Sequence, residues 1–525
     1  MAAIPGSTRH VTTTRTRLAR RALPAALLAL GLTATACGGD DASSGSGALT
    51  ILTVQDSASL DPFRASYTGI SDASRMAALY DPLVYVSAAD KSVKPLLAES
   101  LASTDAGVTW TLKLRNGVKF SDGTPFDAAA VKTTWETHTK PESKSIHISY
   151  AMGLKLDIVD PLTLKVTPPA PNPNFDRVVA SQLAFVASPA TIAKGVDTAG
   201  NAPVGAGPYK LSSWARGSEQ VFVKNDDYWQ KDKGLPKVGK VTFKTVPDIK
   251  QQLNALKADS ADLFLSSDQR TLGDAAKDNL NVTKYDYIGG QFVQFNMRKA
   301  PFDDPRARRA IALALDPADF PATLDNGYVP AKGLFPQSSE YFDATAVQPA
   351  QNKAEAQKLF DALAAEGKKV DFKYLIPQNP TSVATSELML TRLSEFKNVS
   401  MKIEPLEIGA YIVKFAVQKD FQAMLYSQNL VDPEPIMYGM FNSTSRTNYT
   451  GWNNPAADAA LNEGRGSTDP AVRKAAYSKL QKALAADLPV YTYSESTVGA
   501  IANKKVTGIE LFDDGGILMD RIGRS

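Results

Sequence analysis

The hydrophobic pattern of the segment from Pro95 to Trp135 constrains the fold most, because it changes from strand-like to helix-like within one short stretch. Trp110, Leu112 and Leu114 alternate with polar residues, which is typical of a strand with one buried face. Asn116-Gly117 follows at once and supplies residues that tolerate the positive φ of a tight turn. This succession predicts a strand that ends in a hairpin turn.

The rest of the segment is predicted to return along the hairpin and then to form a helix. Val118 and Phe120 are expected to begin the return strand. Asp127 is placed to cap the N-terminus of a helix whose apolar face includes Val131 and Trp135. We assign Trp135, like the tryptophan of the preceding strand, to the core, and leave the environment of Trp452 open.

Strand-like and helix-like segments alternate over the remaining chain. Val221–Val223 and Val241–Phe243 are predicted strands. Asp304-Pro305 and Asp469-Pro470 are predicted to begin helices, and Val472, Ala476, Leu480, Ala483 and Leu484 follow the second of these at helical spacing. A body of roughly 480 residues exceeds one ordinary core. The pattern therefore predicts an α/β protein with mixed sheets and two or three domains.

The first 36 residues have the composition of a signal peptide. They contain five arginines and no acid, and the apolar run Ala22–Leu32 is too short to span a bilayer. Residues flanking Arg20-Arg21 fit a twin-arginine signal poorly, so the general secretory route is preferred. Ala34–Cys37 resembles a lipobox with Cys37 as the lipidated residue; the alternative is an ordinary signal peptide that ends near a cysteine.

The composition after the leader excludes some classes of protein. Residues 37–47 are predicted to be the lipidated cysteine and a flexible tether rich in Gly, Ser and Asp. Without the leader's arginines, 53 basic residues face 55 acidic ones, a net charge of −2. A nearly neutral body without a basic stripe argues against nucleic-acid binding. The single cysteine excludes an intramolecular disulfide.

Motifs of catalysis are absent from the sequence. It contains neither the G-x-S-x-G nucleophile motif nor the H-E-x-x-H zinc motif. His138 and His147 are the only histidines after the leader, neither has a partner at metal-ligand spacing, and both are predicted to lie at a solvated surface. We therefore predict no catalytic residue, no metal and no cofactor. A secreted hydrolase with a site assembled from distant residues stays open as the alternative of another class.

Six blocks of sequence together carry a resemblance to a known family. The blocks are Ser59–Pro62, Pro95–Trp135, Val204–Tyr209, Phe295–Ala310, Asn448–Pro455 and Asp487–Pro489. In this order they resemble the extracytoplasmic solute-binding proteins of peptide-type ABC importers, the oligopeptide/dipeptide/nickel-binding family (family 5). The resemblance covers nearly the whole chain from Ala48 onward.

The resemblance implies a two-lobed fold of the periplasmic-binding-protein type (class II), a clam with an extra inserted domain. The implied domain I is discontinuous and comprises residues 48–94, 201–287 and 490–525. Domain II is the insertion at 95–200, and domain III is the second lobe at 288–489. The chain would cross the hinge near Tyr287–Asn296 and again near Pro489.

The resemblance also implies the function. A lipid-anchored protein at the outer face of the cytoplasmic membrane, in the extracytoplasmic or periplasmic space, would capture a peptide or peptide-like solute. It would deliver this solute to an ABC permease and its ATPase, most simply as a monomer. Alternative ligands that stay open are an oligosaccharide or another non-peptide solute, with nickel the least favoured. A further alternative is a sensory role, in which a receptor binds the surface of the closed lobes.

The acid that binds a peptide's α-ammonium in this family has no direct counterpart here. That acid precedes a D-P or E-P step in the third domain, and counting back from Asp432-Pro433 places the position on Asn429. An amide accepts a hydrogen bond but brings no charge. Either the ligand lacks a free ammonium at this point, or Asp432 or another acid replaces the missing one.

Further ligand-binding residues follow from their position relative to the family blocks. These candidates are Ser66, Tyr67, Thr68, Ser266, Ser267, Tyr287, Gln291, Phe292, Tyr426 and Gln428. Their aromatic, amide and hydroxyl groups suit peptide backbones and sugars alike, and for each of them ordinary packing is the alternative.

Overall fold

The computed structural model describes residues 47–324 and 327–525. The predicted signal peptide, Cys37 and the tether up to residue 46 lie outside the described residues. The described strands are β1 Ala48–Thr53, β2 Val84–Val86, β3 Val93–Pro95, β4 Ala98–Ala102, β5 Trp110–Leu114, β6 Lys155–Asp160, β7 Thr163–Thr167, β8 Tyr209–Ala215, β9 Glu219–Lys224, β10 Lys240–Thr245, β11 Leu263–Ser266, β12 Asn281–Phe295, β13 Val370–Pro377, β14 Val399–Leu406, β15 Ala423–Leu430, β16 Val490–Ala502, β17 Val506–Thr507, β18 Leu511–Phe512, β19 Gly516–Ile517 and β20 Gly523–Arg524.

The helices alternate with these strands, as the sequence predicts. They are α1 Ala73–Tyr80, α2 Ala128–His138, α3 Ile148–Ala151, α4 Phe175–Gln182, α5 Pro189–Ile192, α6 Val196–Asn201, α7 Ile249–Lys257, α8 Gln269–Lys277, α9 Pro305–Ala314, α10 Asp319–Leu324, α11 Lys353–Ala365, α12 Pro380–Leu393, α13 Ile408–Ile412, α14 Ile436–Phe441, α15 Pro455–Arg465 and α16 Pro470–Asp487. A π-helical turn, Val413–Val417, continues α13. Within the part of the chain that the structure describes, we find no helix of the length and apolarity that a bilayer crossing requires.

A mixed sheet of ten strands runs through the molecule in the order β14-β13-β15-β12-β16-β11-β1-β10-β9-β8. β1 is parallel to β10 and β11, and β13 is parallel to β14 and β15, whereas β12 is antiparallel to both of its neighbours. A separate antiparallel sheet has the order β4-β5-β7-β6. The α/β class with mixed sheets is thereby confirmed.

Two long strands join the halves of the ten-stranded sheet. β12 has 15 residues and β16 has 13, and their pairing is interrupted between Tyr287 and Gln291. Gly289 and Gly290 occupy this bulge at φ of 115° and 113°. A Cβ at Gly290 would lie 1.9 Å from the carbonyl oxygen of Ser494, so only glycine fits.

Most local predictions around the first block are confirmed. Trp110 and Trp135 are 5% and 1% exposed, in the core over the four-stranded sheet. The carboxylate of Asp127 accepts from the backbone N–H of Ala130 at 2.9 Å and caps α2. The predicted return strand is wrong: Val118 and Phe120 are buried but form no ladder. The reason is that β4 and β7 already occupy both edges of β5.

The helix starts at Asp304 and Asp469 are confirmed, since each carboxylate accepts from a backbone N–H of the first turn. Helical spacing groups Val472 with the apolar residues of α16, but its side chain is 39% exposed. Arg473 is the residue of this turn that faces the interior. Trp452, left open by the sequence, is buried and donates its indole N–H to Asp487 Oδ2 at 2.7 Å.

Candidate functional site

A cleft of about 340 Å³ opens between two walls that are built from separate stretches of the chain. The first wall comprises Ser66, Tyr67, Thr68, Ile146, His147, Ser149, Tyr150, Ser181, Gln182 and Asp514. The second wall comprises Tyr426, Gln428, Ile436, Met440, Thr447 and Tyr449. Clefts walled by separate parts of a chain are the preferred sites of small ligands, because both walls can desolvate the ligand.

The loop at 66–68 is held in place by a buried acid of the next turn. Asp72 accepts from the backbone N–H of Ser66 at 3.2 Å and from the hydroxyl of Ser57 at 2.6 Å. Its carboxylate also lies 3.4 Å from the guanidinium of Arg75, in a pair that is nearly inaccessible to solvent. These contacts keep the loop's side chains directed towards the cleft, so they are organised before any ligand arrives.

An aromatic stack forms the floor of the first wall. The ring of Tyr67 stacks on His147 at 4.1 Å between centroids, and its hydroxyl donates to the carbonyl of Pro62. Nδ1 of His147 lies 3.0 Å from Oε1 of Gln182, and Nε2 lies 3.2 Å from the carbonyl oxygen of Ala65. Tyr67 is therefore fixed through its ring and its hydroxyl, and it presents its remaining surface to the cleft.

The prediction that both histidines lie at a solvated surface is wrong. His138 is 0% and His147 is 4% exposed, and their rings meet edge to face at 5.8 Å. Burial lowers the pKa of both imidazoles, which keeps them neutral at pH 7. Among residues 47–324 and 327–525, no group of three or more His, Cys, Asp or Glu side chains could hold a metal ion.

The second wall is aromatic and uncharged. Tyr426 and Gln428 lie two residues apart on β15 and therefore share a face of the strand. The ring of Phe415 packs against Tyr426 at 5.7 Å and against Tyr449 at 5.1 Å, which supports both phenols from behind. This wall offers hydroxyl, amide and ring surfaces to a ligand but no ion.

Asp514 is the only Asp, Glu, Lys or Arg among the residues that line the described cleft. Burial raises the pKa of its carboxyl to about 7, although a hydrogen bond from the backbone N–H of Val431 opposes the shift. Glu434 lies near the same cleft, is 4% exposed, and has no protein partner for either carboxylate oxygen. Burial raises its pKa to about 7 as well. The pKa of Tyr150 is raised by burial and further by neighbours that include both carboxylates.

An ion-pair network ties the two sides of the cleft together at one end. Arg473 binds Asp432 through two nitrogens at 3.0 and 2.6 Å, and Arg177 of α4 reaches the same carboxylate at 3.1 Å. Burial alone would raise the pKa of Asp432, but these two guanidiniums outweigh it and lower the pKa. Asn174 adds amide contacts to the carbonyls of Arg465 and Ser467 at 2.8 and 2.9 Å.

The structure brings five of the sequence-predicted site residues together in this cleft. They are Ser66, Tyr67, Thr68, Tyr426 and Gln428. The other seven do not line it: they are Ser266, Ser267, Tyr287, Gln291, Phe292, Asn429 and Asp432.

These seven residues have other surroundings. Tyr287 and Phe292 are buried in the core, and Ser266 accepts from the backbone N–H of Asp268 at 3.0 Å, whereas Ser267 is exposed. Gln291 donates to the hydroxyl of Tyr328 at 2.6 Å and accepts from that of Tyr493 at 2.9 Å. Asn429 accepts from the hydroxyl of Ser496, and the carboxylate of Asp432 is occupied by two guanidiniums.

Sequence reasoning missed much of the first wall. No motif marks Ser149 or Tyr150, and His147 was predicted to be a surface residue. Asp514 follows a two-residue strand and precedes Gly515-Gly516, a pattern that predicts a turn. Nothing local indicates that this turn returns to a loop almost 450 positions earlier, where Gly69 N–H donates to the backbone carbonyl of Asp514 at 3.3 Å.

The sequence is similar to a known protein family and to individual proteins of known ligand. The profile of the bacterial extracellular solute-binding proteins, family 5 (middle region), matches residues 92–448. The glutathione-binding protein GsiB of Salmonella paratyphi A is 33% identical over 263 residues, which are 50% of this chain and 51% of that protein. Its counterpart from Escherichia coli K12 is 32% identical over 256 residues, 48% of this chain and 49% of that protein. The match thus spans about half the length of these curated relatives.

Solved structures resemble almost the whole chain. The periplasmic binding protein AgaA of A. tumefaciens R10, in complex with agropinic acid, superposes with a TM-score of 0.79 at 24% identity and covers 91% of this chain and 99% of its own. The oligopeptide-binding protein AppA of Bacillus subtilis, in complex with a nonapeptide, has a TM-score of 0.77 at 20% identity with the same two coverages. At these identities the likeness shows the fold, which confirms the two-lobed binding-protein architecture.

Proposed function

Because the chain belongs to the bacterial extracellular solute-binding proteins of family 5, we propose that it captures a peptide or peptide-like solute for an ABC importer. The family consists of binding proteins and not of enzymes, so the expectation of a non-enzyme is confirmed and the hydrolase alternative is not retained. The cleft carries the proposal, since its walls combine aromatic faces with hydroxyl and amide groups. Such walls bind a polar backbone while tolerating different side chains.

Capture requires that the walls close over the ligand. We propose that lobe 1 comprises residues 48–94, 201–287 and 490–525, with the insertion at 95–200, and that lobe 2 comprises residues 288–489. β12 and β16 are the long strands between these parts, and the glycine bulge at Gly289-Gly290 interrupts their pairing. Closure would then be a hinge motion at this bulge, favoured by ligand contacts that exist only when both walls are engaged.

The closed protein would present the solute to a membrane permease and its ATPase. We propose that Cys37 carries the lipid anchor and holds a monomer at the outer face of the cytoplasmic membrane. The change Cys37→Ser tests the anchor: the variant should appear in the soluble extracytoplasmic fraction, and continued membrane retention would count against lipidation.

A non-peptide solute such as an oligosaccharide is the second candidate. The parts of Tyr67 and Tyr449 that line the cleft favour it, because sugar rings also pack on aromatic faces. The two candidates differ in the ligands that stabilise the protein.

A thermal-unfolding screen separates them. The processed protein, purified from membranes in detergent, is heated with di- to octapeptides, N-acetylated peptides, oligosaccharides and metal chelates. A ligand that binds only the folded state stabilises it by about 2.7 kcal/mol at a concentration of 100 Kd. Peptides should raise the midpoint; a shift confined to sugars would replace the peptide proposal by the second candidate.

A further inference from the structure

The charges of the cleft constrain its ligand beyond the peptide class. Asp514 is the only Asp, Glu, Lys or Arg that lines the described cleft, and burial holds the imidazole of His147 neutral. Glu434 adds a second carboxylate close to Tyr150; it has no hydrogen-bond partner in the protein, although Arg465 and Arg473 act on it electrostatically. The cleft therefore becomes negative as these carboxyls ionise, and no Lys or Arg lines it among the residues that the structure describes.

The arginine side chains nearest the cleft contact other groups of the protein. Arg473 and Arg177 share the carboxylate of Asp432, and the guanidinium of Arg465 lies 4.5 Å from the ring centroid of Tyr438. None of the three lines the cleft. A carboxylate that loses water on ligand entry is costly unless a cation replaces the water. The missing cation must then come with the ligand.

We propose that Asp514 binds a protonated amine of the solute, so that the ligand class is a cationic amine and, within the proposed function, a peptide with a free α-ammonium. This inference rests on the proposed site but not on the ligand being a peptide. The rings of Tyr426 and Tyr449, 6.5 Å apart on the opposite wall, add faces that attract a cation.

This assignment accounts for the neutral residue at position 429. The family's ammonium-binding position falls on Asn429, whose amide oxygen accepts from Ser496 and which does not line the cleft. Asp432 is not available either, because an ammonium would have to displace Arg473 or Arg177. Asp514 places the required charge on the other wall, at the hairpin that follows β18.

The test compares free and blocked amines on the full, processed chain. Isothermal titration uses trialanine, N-acetyl-trialanine, reduced glutathione, the non-peptide amines spermidine and choline, and the neutral sugar maltotriose. Wild type should bind free-amine probes at least tenfold more tightly than their acetylated or neutral counterparts. Asp514→Asn should weaken the free-amine probes about 10- to 100-fold, because it removes the charge of an ionic hydrogen bond, and should leave acetylated probes unchanged.

The matched control is Asp513→Asn. Asp513 is buried next to Asp514, accepts from the backbone N–H of Val86 at 3.0 Å and does not line the cleft. This change should alter the affinity of trialanine by less than about threefold. Thermal unfolding of both variants verifies that they fold, and an Asp514→Glu variant, which keeps the charge, should retain part of the amine preference.

The outcomes separate the two proposals. If trialanine and N-acetyl-trialanine bind equally, the peptide proposal stands and the role of Asp514 is overturned. If spermidine or choline binds through Asp514 and no peptide does, the peptide proposal fails and the amine inference stands. If only maltotriose binds, or if no amine probe binds wild type, the amine inference is overturned.

Discussion

The two sides of the cleft each contain a key carboxylate, and their surroundings are opposite. Asp432, behind the second wall, is enclosed by the guanidiniums of Arg473 and Arg177, which lower its pKa. Asp514, on the first wall, has no cationic neighbour that lines the described cleft, and burial raises its pKa to about 7. A buried carboxylate that is paired with a cation is part of the folded structure. A carboxylate without such a partner is available to bind a cationic ligand.

Removing one guanidinium from Asp432 should have the largest effect. Arg473→Met leaves a nearly inaccessible carboxylate with only the partly exposed Arg177, and should lower the free energy of unfolding by about 3 kcal/mol. Urea unfolding at pH 7 measures the loss. Arg309→Met, at an exposed position, serves as the control and should change stability by less than about 0.5 kcal/mol. Equal losses would show that the pair is unimportant.

Glu434 is a second buried carboxyl without a hydrogen-bond partner, and it should make the stability of the protein depend on pH. Its folded pKa of about 7 exceeds the ordinary value of 4.5, so the folded state binds the proton more tightly, and stability falls as pH rises from about 4.5 to 7. Glu434→Gln should remove this fall and exceed wild type by about 2 kcal/mol at pH 8, with no gain at pH 4. Its charged and titratable surroundings are Arg465, Asp432, Arg473, Tyr477 and Tyr150. Parallel pH profiles of variant and wild type would contradict the assignment.

Binding of an amine should show the opposite pH dependence at Asp514. Only the ionised carboxylate attracts a cation, so affinity for trialanine should fall about tenfold per pH unit below about 7 and level off above it. The titratable groups around it are Asp513, Tyr150 and Tyr287, with Arg177 acting on Asp513 and with a neutral His147 on the same wall. Titrations between pH 5 and 8 measure the slope, and a flat profile would argue that Asp514 does not contact the amine.

The smallest effect is expected at the position where the family carries its acid. Asn429→Asp introduces a carboxylate that still accepts from Ser496 and does not line the cleft, so affinity for trialanine should change by less than about threefold. A tenfold gain would mean that the ammonium lies near position 429, and Asp514 would then lose its proposed role.

Predictions from local sequence succeeded where neighbours in the chain determine the structure. Asp127, Asp304 and Asp469 cap helices because the acceptor and the N–H groups it satisfies are within three residues. The prediction of a return strand at Val118 was wrong because β7, about fifty residues later, pairs with the edge of β5 that the hairpin would need. The prediction of a solvated His147 was also wrong because of residues distant in the chain. Its partners Tyr67 and Gln182 bury it.

The amino-acid sequence by itself determined the class of the fold, the helix starts, the two core tryptophans and the family, since periodicity, capping and ordered motif blocks are local properties. It also supplied the candidates Tyr67 and Tyr426, which the structure places on opposite walls of one cleft. Which acid lacks a cationic partner follows from the tertiary fold alone. Asp432 meets Arg177 across more than 250 residues, and Asp514 returns to the loop after Thr68 from the other end of the chain. Electrostatic compensation depends on distance in space, and sequence spacing does not encode that distance.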